Sequence, residues 1–309
     1  MILNSKTVKE IAFKIGFDSC GISDINVEKK NLDFFNYWLK KGYNAEMHYL
    51  RKYYNIREDP ELLVESAKSV ISVILNYYSS EKLTDPSISI SKYAYGMNYH
   101  AVIKNKLFLF LNEIRNIDVT VNGRVFVDTA PIFERYFAER SGLGFIGKNN
   151  CIINENFGSW IFIGEIIIDK ELEYDLPLNT GCGSCTACID CCPTEALSGD
   201  GLNANKCISY HTIENRGEVP RDVREKITTQ VFGCDICQNV CPYNRKPVEH
   251  DHSELDILPQ IKNINFDILA FMSDAEFNKY FSETSLNRAG RKKLLDNFNN
   301  INIQNAIKK

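Results

Sequence analysis

The arrangement of cysteines constrains this chain more than any other feature. Cys182-x2-Cys185-x2-Cys188-x3-Cys192-Pro193 is followed by Cys234-x2-Cys237-x3-Cys241-Pro242. In a four-iron cluster, short x2 spacings let one tight loop place three thiolates on a cube of iron and sulfur while its backbone N–H groups face the sulfurs. The fourth ligand comes from elsewhere. In two-cluster ferredoxins the last cysteine of such a run, just before proline, ligates the other cluster. The spacing therefore predicts one [4Fe-4S] cluster on Cys182, Cys185, Cys188 and Cys241, and a second on Cys234, Cys237 and Cys192. That second set is one ligand short, because the stretch CDICQNVCP lacks the middle cysteine of a regular repeat. Cys207 is the nearest candidate for the vacancy; its other reading is a small buried apolar residue. Cys191 adjoins Cys192 but is out of register. A pair of zinc sites fits less well, since all-cysteine zinc sites come as two separated Cys-x-x-Cys knuckles.

All of the 11 cysteines except Cys20 and Cys151 fall between Cys182 and Cys241, and those two read as core residues. Such clustering is better explained by metal than by disulfides, in a compartment that keeps thiols reduced. The N-terminus, MILNSKTVKE, has polar residues where a secretory signal needs its apolar run, so a cytoplasmic location is expected. The longest apolar stretches, Val70 to Leu75 and Ile161 to Ile168, are short or broken by Gly164 and Glu165, and no membrane span is expected. A formal charge of −4 argues against a general nucleic-acid-coating protein. Two local basic patches stand out: Arg288, Arg291, Lys292 and Lys293, and Arg216, Arg221, Arg224 and Lys226.

With 309 residues the chain has room for more than one domain. Val8, Ile11, Ala12 and Ile15 recur at helical spacing before Gly16, a plausible C-terminal cap, and a second helix is expected over Leu32 to Lys41. Ser69 to Tyr78 reads as a buried strand, His100 to Arg115 as a helix, Val119 to Val127 as a strand or a hairpin turning at Asn122-Gly123, and Trp160 to Ile168 as another buried strand, with a helix after Pro131. Residues 1–175 thus read as a mixed α/β (α+β) domain. From 176 to 250 cysteine, glycine and proline punctuate short helices in a ferredoxin-like pattern, and 251–309 read as a C-terminal helical segment.

Two further motifs need weighing. Gly142-Leu-Gly144-Phe-Ile-Gly147-Lys148-Asn149 matches G-x-G-x-x-G, but the loop follows a helix and leads into a strand, the reverse of a dinucleotide fingerprint. Asn149 also lacks the hydroxyl that a phosphate-binding loop uses to hold magnesium. Glycines that let the backbone approach some other large cofactor remain an open reading. In Val127-Asp128-Thr129-Ala130-Pro131 a carboxylate sits at a strand end, a common place for a catalytic acid; on local pattern alone, Asp128 or Thr129 capping the next helix is the favoured role.

Arg57 in IREDPELL, KYAYGMNYH (92–100), VDTAPIFERYFAERSGLGFIGKNNCII (127–153), FGSWIFIGEI (157–166), both cysteine runs, SYHTIE (209–214) and GCDICQNVCPYN (233–244) together resemble the epoxyqueuosine reductases. The resemblance runs from the first helix to about residue 300, with the motifs in order. It implies a nitroreductase-like cobalamin-binding domain related to that of the reductive dehalogenases, a ferredoxin-like domain with two [4Fe-4S] clusters, and reduction of the epoxide of epoxyqueuosine at the tRNA wobble position, with the oxygen lost as water. It also implies an external low-potential electron donor, a monomer, and a target base extruded from the single-stranded anticodon loop, for which the basic patches are the best phosphate contacts. Asp128 matches the family's proposed proton donor, a role that calls for a raised pKa. Arg57, Tyr95, Asp128, Gly147, Lys148, Ile153, Ser209 and Asp235 are expected near the corrin. None of the five histidines lies in Asp-x-His-x-x-Gly, so no lower histidine ligand to cobalt is expected. Some family members continue into a helical-repeat domain beyond the equivalent of RAGRKKLLDNF (288–298), and contacts made by such an extension are expected to be missing from this sequence.

Overall fold

The computed structural model describes residues 2–307. Helix α1, Ser5–Ile15, starts where the Asn4 side chain accepts the Thr7 N–H and stops at Gly16, whose φ of 92° lies in the left-handed region that glycine enters freely. It leads into strand β1, Ser19–Asp24. Helix α2 covers Lys29–Lys40, and β2, Ser69–Asn76, is buried along its whole length. Helix α3 covers Tyr99–Ile117, strand β3 Gly123–Phe126, helix α4 Glu134–Arg140 and strand β4 Ile161–Ile168. The expected hairpin at Asn122-Gly123 does not form. Gly123 instead opens β3, and the Asn122 N–H donates to Asp169.

The four strands make one antiparallel sheet in the order β1-β2-β4-β3. Strand alternation sends Ile71, Val73, Leu75, Phe162, Ile166 and Ile168 to one face, against α1 and α3. On the other face Val70 and Ile167 meet Phe137, and Ile74 and Ile161 meet Ala138, both from α4. Helix α3 buries Val102, Ile103, Leu107, Phe110, Leu111 and Ile114, each contributing about 1.5–3 kcal/mol of transfer free energy. It lies so close to β4 that a Cβ on Gly164 would meet Ile103 Cγ2 at 2.7 Å, so glycine sets the depth of α3 and with it the height of Tyr99 and His100 at its first turn.

The remaining chain builds a second core from Ile208, Val223, Val231, Phe232, Leu269, Phe277, Phe281, Leu294 and Phe298. It also includes Ile88, Ile90, Ala94 and Tyr95, and Ser89–Ile90 pairs in parallel with Gln230–Phe232. A piece of the N-terminal 175 residues is therefore built into the C-terminal core, a placement that no local pattern encodes. Short helices over Pro259–Lys262, Phe266–Phe271 and Asp274–Tyr280 and a long one over Arg291–Ile307 form the helical C-terminal segment; residues 308–309 of that expected segment lie outside the described residues. No helix among the described residues is long and apolar enough to cross a membrane.

Candidate active site and cluster cavities

Cys182, Cys185, Cys188 and Cys241 line one small cavity together with Lys148, Ile153 and Tyr243. The Lys148 N–H donates to Cys182 Sγ at 3.4 Å, and its Nζ donates to the carbonyls of Gly183 at 2.8 Å and Cys185 at 3.0 Å. The glycine-rich loop is thus a clasp on the first cysteine loop. A Cβ on Gly147 would meet Ile153 Cδ1 at 2.4 Å, which explains the glycine just before the lysine. Ile153 itself packs with Phe145 and Cys241.

A second cavity, of about 260 Å³, is lined by Cys192, Cys207, Cys234 and Cys237, with Cys151, Ser209 and Arg135 beside them. Cys207 is the residue before the helix Ile208–Ile213, so its thiol lies beside the free N–H groups of that helix's first turn. Ala196 N–H donates to Cys192 Sγ at 3.3 Å. All the cysteines are free thiols. Two groups of four sulfurs with N–H donors at hand fit the charge of two four-iron clusters. Cys151 is held in the second cavity's wall as a neutral thiol, pushed up to about 12 by burial, and Cys20 is a core residue likewise pushed up to about 12.

A third and larger cavity, about 590 Å³, opens between the sheet and the C-terminal core. Tyr49, Tyr53, Tyr93 and Tyr99 supply aromatic walls, and Arg57, His100, Asp128, Glu214 and Arg288 supply charge. The helix Ile208–Ile213 joins the two regions: Cys207 and Ser209 lie at its start on the cluster cavity, Ile213 and Glu214 at its end on the large one.

Asp128 projects into this pocket from the end of β3. Its φ of 50° is a left-handed value that costs a non-glycine residue about 1–3 kcal/mol, here held by three contacts. Tyr99 Oη donates to Oδ2 at 2.8 Å, His100 Nε2 lies 2.9 Å from the same oxygen, and the Asp128 N–H donates to Glu134 Oε1. Tyr99 is fixed in turn by stacking on Phe162, with ring centroids 4.5 Å apart and planes within 5°. Asp128 does not cap α4, which begins after Phe133 without a side-chain cap.

Hydrogen-bond geometry assigns a proton here. Asn98 Oδ1 accepts the His100 backbone N–H and faces His100 Nδ1 at 3.0 Å, so Nδ1 must be a donor. The contact between Nε2 and Asp128 Oδ2 then requires one proton between them, whichever atom carries it. The pKa of Asp128 runs opposite to the sequence expectation. Burial raises it, but the hydrogen bonds from His100 and Tyr99 and the charges of His100 and Arg288 outweigh burial and leave it below the ordinary carboxylate value. The Asp128 carboxyl is therefore one member of a hydrogen-bonded pair with His100, not an isolated group.

The residues expected near a corrin fall in four places. Arg57 and Asp128 line the large pocket; Arg57 is buried, donates to the Leu50 carbonyl at 3.3 Å and lies over the Phe35 ring. Ser209 lines the second cluster cavity, and Gly147, Lys148 and Ile153 gather at the first. Tyr95 is packed in the C-terminal core under Lys92, and Asp235 Oδ2 accepts the Lys92 N–H at 2.8 Å. Tyr99, His100, Glu214 and Arg288 are pocket residues that local pattern did not single out, although each lies in a stretch already notable for its motif or charge. The basic patches are largely self-neutralised: Arg288 pairs with both oxygens of Glu214, Arg291 with Asp274, Arg221 with Glu225 and Arg224 with Glu218.

Two cavities each lined by four cysteines, beside a pocket lined by tyrosines, His100 and Asp128, suit an iron–sulfur oxidoreductase. The 4Fe-4S double cluster binding domain model matches residues 181–244, and the model described as epoxyqueuosine reductase QueG, DUF1730, matches residues 57–129. An epoxyqueuosine reductase of Cellulophaga algicola is 41% identical over 95% of this chain and 97% of its own length. A crystal structure of epoxyqueuosine reductase with a tRNA-Tyr epoxyqueuosine-modified stem loop superposes with a TM-score of 0.87 at 31% identity, over 96% of this chain and 80% of that one. The Bacillus subtilis enzyme, in a form whose catalytic aspartate loop is swung out of the active site, gives the same TM-score at 30% identity, over 96% and 80%. The chain belongs to the epoxyqueuosine reductase family, oxidoreductases whose cofactors are cobalamin and two [4Fe-4S] clusters.

Proposed function

We propose that the chain reduces the epoxide of epoxyqueuosine in the tRNA anticodon loop to the alkene of queuosine, with Asp128 as the residue that protonates the departing oxygen. The observation that carries this reading is the Asp128–His100 pair, which holds one proton at the wall of a pocket joined by a single short helix to the Cys192, Cys207, Cys234 and Cys237 cavity.

Cobalamin, when bound, would supply the low-potential reducing chemistry that the epoxide needs. The pocket fits such a group in kind, with four tyrosine faces, a buried arginine and a polar rim formed by Asn98, Thr284 and Asn287. Arg57 and the tyrosines would hold it from the sheet side, and Ser209 would meet it from the cluster side. Cys182, Cys185, Cys188 and Cys241 hold the first cluster and Cys192, Cys207, Cys234 and Cys237 the second, so that one-electron carriers lie within the same fold as the pocket. Tyr99 and His100 orient the Asp128 carboxyl through their hydrogen bonds to its Oδ2. Residues 1–175, with their sheet of nitroreductase-like character, serve as the cofactor domain, 176–250 as the ferredoxin-like domain, and 251–309 close the pocket through Thr284 to Arg288. A monomer working in the cytoplasm with an external low-potential donor completes the reading.

Anaerobically reconstituted, reduced protein incubated with epoxyqueuosine-containing tRNA should give queuosine on nucleoside mass analysis. Unchanged epoxyqueuosine from protein holding both clusters and cobalamin would overturn the assignment.

A further inference from the structure

Two carboxyl groups that the reading above does not use lie behind Asp128. Glu165 is at the centre of β4, opposite Ser72 on β2 and Phe126 on β3, and is completely buried. It points to the face of the sheet covered by α4, whose first residue is Glu134. Neither oxygen of Glu165 has a hydrogen-bond donor, and the hydroxyl of its cross-strand neighbour Ser72 is also without a partner. Glu134, at the start of the covering helix, is the titratable neighbour whose charge bears most on it.

Two carboxylates in contact, one of them fully buried and without a donor, cannot both be anions; a shared proton removes the repulsion and makes the hydrogen bond. Glu134 also accepts the Asp128 N–H, so its outer oxygen is better satisfied as the ionised partner and Glu165 is the acid. Burial and the nearby Asp128 charge push Glu134 up to about 8, against the opposing charges of Arg135 and Arg57, and burial raises Glu165 further. On the Asp128 side, Tyr99 and His100 are the other titratable groups that face the cluster of acids.

The chemistry gives this proton a use. Converting an epoxide to an alkene breaks two C–O bonds, forms one C=C bond and releases the oxygen as water, which consumes two electrons and two protons. The Asp128–His100 pair holds one proton. We propose that Glu165 and Glu134 share a second, and that this buried pair restores the proton on Asp128 after the first has been given to the oxygen. Both protons of the departing water are then stored on the protein before substrate enters. The inference rests on the reading of Asp128 as donor, and Glu165 acts only through Glu134 and Asp128.

Infrared difference spectroscopy of substrate-free protein tests it without depending on turnover. At neutral pH the wild type should show the carbonyl stretch of a protonated, deuterium-sensitive buried carboxylic acid, and Glu165→Gln should lose it. In reconstituted enzyme Glu165→Gln should lower kcat about 10-fold with KM unchanged, and move the alkaline limb of the pH profile to lower pH. If Glu165→Gln does not fold, carboxyl-13C glutamate NMR of the wild type decides, with one glutamate titrating near 8 expected. Absence of the acid band and of such a glutamate, or a Glu165→Gln enzyme with the wild-type pH profile, would overturn the proposal. Failure of wild-type protein to make queuosine despite a normal acid band would instead fault the function.

Discussion

The first cluster cavity and the Asp128 pocket are built in opposite ways. Three of the four thiols of the first cavity come from seven consecutive residues, Cys182 to Cys188, and the loop is fastened by one clasp, Lys148. The Asp128 pocket draws on widely separated parts of the chain: Tyr49 to Arg57, Tyr93 to His100, Asp128 and Thr129, Ile213 and Glu214, and Thr284 to Arg288. A metal cage is specified by ligand spacing because the cluster itself imposes the geometry. The pocket has no such template, and its geometry is the sum of sheet register, helix depth and two cores that meet.

That contrast predicts all-or-none behaviour at the cages and graded behaviour in the pocket. Cys182→Ala or Cys207→Ala should drop iron after reconstitution from about eight to about four atoms per chain. An unchanged iron-to-protein ratio in Cys207→Ala would show that a different group completes the second site. Asp128→Asn should keep iron and the Tyr99 hydrogen bond yet lose about 100- to 10,000-fold in single-turnover rate. A variant with full activity would return Asp128 to a structural role. His100→Gln should retain part of the activity, about 10- to 100-fold down at neutral pH, with the alkaline limb of the pH profile shifted to lower pH, because a carboxyl group alone then has to hold the proton. Lys148→Met should leave the clusters in place but speed their loss on exposure to air several-fold, roughly what two charge-assisted hydrogen bonds contribute, as followed by the decay of cluster absorbance.

The smallest effect concerns stability. The Glu134–Glu165 pair, with Glu134 pushed up to about 8 and Glu165 raised by burial, keeps its shared proton in the native state through a pH range in which the unfolded chain has already released it. Stability should therefore decline as pH rises from the ordinary carboxyl range to about 8 and level off above it. Urea midpoints across that range should show the decline in the wild type and a flatter profile in Glu134→Gln.

Much of the fold was legible residue by residue. Helix α1 stops at Gly16 as expected, β2 and β4 match the buried runs, and α3 begins within one residue of the expected start. The missed hairpin at Asn122-Gly123 has a physical cause: Gly123 is paired to Ile168 on β4, and this long-range pairing takes precedence over the local turn preference. Glu165 was visible as a lone acid in an apolar strand, but a sequence cannot say that Glu134 would be packed against it. In the basic patches, local pattern did not show that Arg221, Arg224, Arg288 and Arg291, four of the eight residues, are matched by acids brought near through folding.

The sequence by itself determined the cluster chemistry, because thiolate count and spacing are local quantities to which iron responds directly. It also marked Asp128 as notable without deciding what Asp128 does. Only the tertiary structure set its surroundings, placing Tyr99 and His100 against its carboxyl group and Glu134 against its backbone N–H. Protonation depends on burial and on the partners within a few ångströms, and those are fixed only when α3, α4 and the sheet pack together.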